Sequence, residues 1–209
     1  MNRSYLILGA ALVAMMAGAL LYTLKSQTER LAAEQAEAKE AEKAEMMQQT
    51  LEVSDFTEFT LKDLDGADRQ FSEWTGRHRL LNFWATWCAP CRREIPVLKA
   101  YQEEQGEDGI LVMGIAVDFM EDVQLYAEAA EFNYPILVGE QDAMAVAESS
   151  GIEFIAMPFT MVVARDGRYL GAYLGELHDA QLADITNILA RLDAGEITTE
   201  EASGAIKLL

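Results

Sequence analysis

The sequence has little cysteine, little histidine and few positive charges, and each shortage removes a class of function. Cysteine occurs twice in 209 residues, at Cys88 and Cys91. One chain therefore has neither a multi-bridge disulfide scaffold nor a four-thiolate zinc site. Histidine also occurs twice, at His78 and His178. Their polar neighbours place both on the surface, and a histidine-dependent triad has little to build on. Lysine and arginine number 16 against 35 acidic residues, a formal charge of −19. That balance argues against nucleic acid, whose phosphates need clustered basic side chains. It suits a well-solvated acidic surface.

Charge is absent altogether from Tyr5 to Leu24, "YLILGAALVAMMAGALLYTL". At about 1.5 Å per residue such a helix spans roughly 30 Å, the thickness of a bilayer's hydrocarbon core. The reading is a single transmembrane helix over about 5–24 within an anchor 1–24. The alternative is a cleaved signal peptide, because "AGA" at Ala17–Ala19 resembles a processing site, but the apolar run exceeds the usual signal length. Residues 25–50 contain no glycine or proline and are rich in Ala, Glu, Lys and Gln. They read as a charged stalk, helical or partly disordered, and no heptad of large apolar residues supports a coiled coil. Arg3 favours a cytoplasmic N-terminus, while Lys25 and Arg30 pull the other way.

From residue 51 onward the pattern alternates. A hairpin is expected to turn at Asp65-Gly66. "RLLNFWA" reads as a buried strand, followed by a helix to about Gln105; "GILVMGIAVD" is a second buried strand, with a helix from "EDVQLYAEAAEF". A short strand "PILVG", a helix near Asp142–Ser149, two strands turning at Asp166-Gly167 and a helix over Asp179–Leu192 complete the series. Strands alternating with helices give an α/β fold, a central mixed sheet flanked by helices. The expected domain is 51–195, and 196–209 is a tail whose short helix is announced by a Thr198/Glu201 capping box.

The only cysteines fall where strand passes into helix, in "WCAPC". A thiolate at a helix N-terminus is favoured by free backbone N–H groups and the helix dipole, so Cys88 is the candidate nucleophile. Cys91, one turn on, can resolve a mixed disulfide or close an internal one. Pro90 suits the first turn. A buried structural pair, or half of a zinc site, is the plainer alternative.

"NFWATWCAPCRREIPVL" resembles the active-site stretch of thioredoxin-fold proteins, above all the membrane-anchored TlpA/ResA-like thiol–disulfide oxidoreductases of bacterial envelopes. The similarity runs from about Asp55 to Leu192 and includes "DFTEFTLKDLDG" and "GIAVD". It implies a thioredoxin-like fold, Cys88 as nucleophile, Cys91 as resolving cysteine, and a cis-proline facing them. Pro158 in "FIAMPFTMVV" supplies that proline, and Met157 would offer its backbone to an extended substrate. Thioredoxins proper carry a buried aspartate where this chain has Asn82. The TlpA/ResA-like pattern places an acid after the motif, here Glu94, which could exchange a proton with Cys91; a solvated carboxylate is the alternative. Trp84 is expected in the core, and Trp87 at the edge of the cysteines as an apolar contact. Arg92 and Arg93 either assist the thiolate or partner, or are simply solvated.

The function expected is a membrane-tethered thiol–disulfide oxidoreductase at the bacterial inner membrane, its domain facing the periplasm or cell exterior. The resemblance implies reduction of protein disulfides, of the cytochrome c maturation or copper-site assembly type, fed by an upstream membrane electron donor. No metal or organic cofactor is required. The alternatives are a disulfide oxidase or isomerase, and a non-enzymatic copper- or zinc-binding module using the same cysteine pair.

Overall fold

In the computed structural model, the residues described are 54–148 and 156–209, together with Gln27. The expected anchor and all of the expected stalk but Gln27 lie outside them, as do 51–53 and 149–155, and the described domain belongs to a compact unit, Leu51–Leu209. Among the described residues no helix is long and apolar enough to cross a membrane.

The strands are β1 (Ser54–Asp55), β2 (Thr60–Asp63), β3 (Asp68–Gln70), β4 (Arg79–Trp84), β5 (Leu111–Val117), β6 (Ile136–Gly139), β7 (Phe159–Val163) and β8 (Arg168–Leu174). The helices are α1 (Ala89–Gln105), α2 (Met120–Ala130), α3 (Gln141–Glu148), α4 (Asp179–Asp193) and α5 (Thr199–Ile206), with a 3-10 turn over Phe71–Trp74. The sheet runs β1-β8-β7-β4-β5-β6-β2-β3. β4, β5 and β6 are parallel, and the remaining neighbours pair antiparallel.

β4 lies in the middle and every residue of it is buried, which is why apolar side chains fall on both of its faces and do not alternate with exposed polar ones. Its side chains still divide by the period of two. Leu80 and Trp84 join Ile95 and Leu98 of α1, Ile185 and Leu189 of α4, and both cysteines on one face. Leu81 and Phe83 join Met113, Phe159, Phe71 and α3 residues Ala143 and Val146 on the other. Phe83 and Phe159 stack with centroids 4.4 Å apart, worth about 1 kcal/mol beyond the area they bury.

Two expectations need correction. His78 is buried, because Asp193 at the end of α4 and Arg165 before β8 close over it. The Arg165 backbone N–H donates to His78 Nδ1 at 3.2 Å, and His78 Nε2 lies 3.0 Å from Asp193 Oδ1. Second, 196–209 is no separate tail: Ala202 and Ile206 of α5 are buried in the same core as Leu170 and α4. α2 also stops earlier than its sequence pattern suggests, at Glu131 in a left-handed conformation (φ 49°), and Phe132 turns inward to pack on Trp84.

Candidate functional site

β4 ends at Trp84, and Ala85–Trp87 carry the chain to Cys88, the residue that caps α1. The Cys88 N–H bonds to Ala85 O at 3.1 Å, and Cys88 O accepts from the Arg92 N–H. Cys88 Sγ accepts the Cys91 N–H at 3.3 Å. The sulfur therefore occupies the place of an N-cap oxygen and meets donors that the helix leaves free. Cys88 and Cys91 are joined as a disulfide with Cα atoms 5.3 Å apart. The two ends are not equivalent: Cys88 keeps 6% of its surface exposed and Cys91 none. Of the two, only Cys88 has any surface open to solvent.

The other elements converge on this end of the sheet. The Met157–Pro158 bond is cis. Phe83 pairs with Phe159, so Pro158 falls beside Trp84, at the edge from which the cysteines depart. Pro158 is buried, its carbonyl accepts the Gly175 N–H at 2.9 Å, and Met157 packs on the cluster that holds both cysteines. Trp87 is 68% exposed, an apolar side chain next to the disulfide.

Glu94 lies one turn beyond Cys91 on α1 and is fully buried. Its Oε1 accepts Asn82 Nδ2 at 2.8 Å and its Oε2 accepts the Leu177 N–H at 2.8 Å. Asn82 Nδ2 also donates to Thr160 Oγ1 at 3.0 Å. Burial pushes the Glu94 carboxyl up to about 7, against the opposing pull of the Leu177 and Asn82 donors. A carboxyl poised there exchanges protons near neutral pH. The solvated alternative for Glu94 does not hold. Arg93 is committed elsewhere, in a two-pronged pair with Glu176 at 2.6 and 3.2 Å, while Arg92 is exposed.

Local sequence reasoning missed Thr86, Asp118 and Thr160. Asp118 Oδ2 accepts both the N–H (2.9 Å) and the hydroxyl (2.6 Å) of Thr86. The signal was indirect: with β4 and β5 parallel and Trp84 opposite Ala116, Thr86 comes level with Asp118. Among the described residues no group of three or more His, Cys, Asp or Glu side chains is arranged to hold a metal ion.

A thiol-disulfide oxidoreductase ResA from Geobacillus thermodenitrificans is 29% identical over 112 residues, which cover 53% of this chain and 62% of that protein. The chain thus spans less than two thirds of that relative. A thiol:disulfide interchange protein of the thioredoxin family from Chlorobium tepidum superposes with a TM-score of 0.58 at 25% identity, over 66% of this chain and 95% of the other. A secreted thiol-disulfide isomerase from Corynebacterium glutamicum does so at 0.57 and 25%, over 66% and 85%. The fold is thioredoxin-like, with a mixed sheet between helices. Residues 54–168 match the AhpC/TSA family, and with a match over more than half its length the chain belongs to that family.

Proposed function

We propose that the chain is a thiol–disulfide oxidoreductase that reduces disulfides of protein partners, tethered to the inner membrane by residues 5–24 with its domain on the periplasmic or outer side. The observation that carries the chemistry is the Cys88–Cys91 disulfide at the cap of α1, open at Cys88 and closed at Cys91. In the reduced protein the Cys88 thiolate attacks one sulfur of a partner disulfide. A bond forms from Cys88 Sγ to that sulfur, and the other partner sulfur leaves as a thiolate. Cys91 passes its proton to Glu94 and attacks Cys88 Sγ. The partner's second thiolate leaves, and protonation from solvent completes two partner thiols. The Cys88–Cys91 disulfide is re-formed, and a dithiol donor on the membrane side returns two electrons and two protons.

Trp87, Met157 and Pro158 frame the accessible sulfur, and in this reading they hold an extended partner segment by apolar contact and through the Met157 backbone. Cytochrome c precursors and copper-site assembly proteins are the partner classes that fit a ResA-like role. The test is dithiothreitol-driven reduction of insulin by the full chain. The wild type should accelerate it, and Cys88→Ser should return the rate to that of dithiothreitol alone; a wild type no faster than dithiothreitol would overturn the proposal.

A further inference from the structure

We infer that Asp118 is a positioning residue for this redox site, latching the strand-to-helix loop so that Cys88 stays at the cap of α1 when the disulfide opens. The inference rests on the proposed exchange chemistry. Asp118 follows β5, is 7% exposed, and spends both carboxylate oxygens on named donors. Oδ2 takes the Thr86 N–H and hydroxyl, and Oδ1 takes the Phe119 N–H at 2.9 Å. One carboxylate therefore ties the loop two residues before Cys88 to the residue that caps α2.

Three converging donors explain the residue type. A carboxylate accepts at two oxygens, whereas asparagine accepts at one and would turn an N–H toward a donor. Hydrogen bonds to a charged group are also stronger than neutral ones. Loop order matters most in the reduced state. In the oxidised state the Cys88–Cys91 bond itself holds the loop against α1. After reduction, the Thr86–Asp118 latch and the Cys88–Ala85 turn are what keep Cys88 Sγ over the free N–H groups that favour its thiolate. Lys62, Asp68, Glu140 and Asp142 line the same cleft as Asp118; around the disulfide, Glu94 and Tyr134 lie in the core, and Arg92, Arg93, Glu176 and His178 lie toward the surface.

The test uses the reduced full chain with Cys91→Ser, so that Cys88 is the only thiol. The rate of its alkylation by iodoacetamide is followed against pH. Thr86→Val removes the hydroxyl bond while leaving every charge in place. It should move the alkylation midpoint upward by about half a pH unit, and in the two-cysteine chain it should slow insulin reduction roughly threefold to tenfold. Thr86→Ser, which keeps the hydroxyl, should restore both. Asp118→Asn should slow insulin reduction to a similar degree. If Thr86→Val and Asp118→Asn lower only the urea midpoint and leave the alkylation profile and reduction rate at wild-type values, Asp118 braces the fold and the inference fails. Alkylation needs no partner protein, so it reads the latch even if insulin reduction is absent in the wild type.

Discussion

Among single residues, Glu94 is the most exacting. Its acceptor oxygens serve two buried donors, Asn82 Nδ2 and the Leu177 N–H. Glutamine offers one acceptor, so Glu94→Gln leaves one donor unpaired, a loss of about 1–3 kcal/mol. The carboxyl pKa is raised from 4.5 to about 7 in the fold. The protonated form is thus the one the fold prefers: the stability this group contributes is fully present below about 4.5 and is lost as pH rises through 7. The full swing is on the order of 3 kcal/mol. Urea titrations of the oxidised protein should show Glu94→Gln less stable than wild type at acid pH, with the gap closing or reversing above neutrality. Parallel pH profiles for the two proteins would contradict the assignment. His78 runs the other way. Burial lowers its pKa from 6.5, so its contribution is present above that value and falls away as pH drops through the lower, folded-state value. The cysteines and Pro158 were legible because their chemistry is local. The burial of His78 was not, since its covering groups lie 87 and 115 residues away in sequence.

Elements with a local signature were legible in kind: the apolar run of β4, the capped start of α1, and α5 with its Thr198–Glu201 capping box. What α5 covers was not, because burial of a short helix is decided by a partner strand that its own sequence does not specify. Gly171 of β8 marks the contact. It sits at φ +149°, and a Cβ there would lie 3.2 Å from Ile206 Cγ2 and from Lys207 Cγ. Ile206→Ala should cost about 2–5 kcal/mol through the cavity left over β8, and Thr198→Ala about 1 kcal/mol through the lost cap. Both are read from urea unfolding midpoints. An Ile206→Ala protein as stable as wild type would mean that α5 is dispensable to the core. The order of strands was equally hidden, and with it the level placement of Thr86 and Asp118, because register between β4 and β5 is a property of the assembled sheet.

At the scale of the whole molecule, a domain that positions one reactive sulfur is joined in sequence to an uncharged run of membrane-spanning length and an Ala/Glu/Lys/Gln-rich segment. The net charge of −19 should keep the protein soluble apart from that run and make its encounters with charged partners sensitive to salt. The anchored reading predicts that the full-length protein sediments with membranes after carbonate washing and retains its N-terminus; a mature chain beginning after Ala19 would reject it. The central claim is narrower: Cys88 is the attacking thiol and Cys91 the resolving one. Full-length Cys91→Ser and Cys88→Ser variants, reduced and then mixed with a disulfide-bonded peptide, separate the roles by mass mapping of the adducts. Cys91→Ser should accumulate a mixed disulfide at Cys88, and Cys88→Ser should accumulate almost none, because Cys91 is wholly buried. Equal adducts on both variants, or an adduct found mainly on Cys91, would contradict the account.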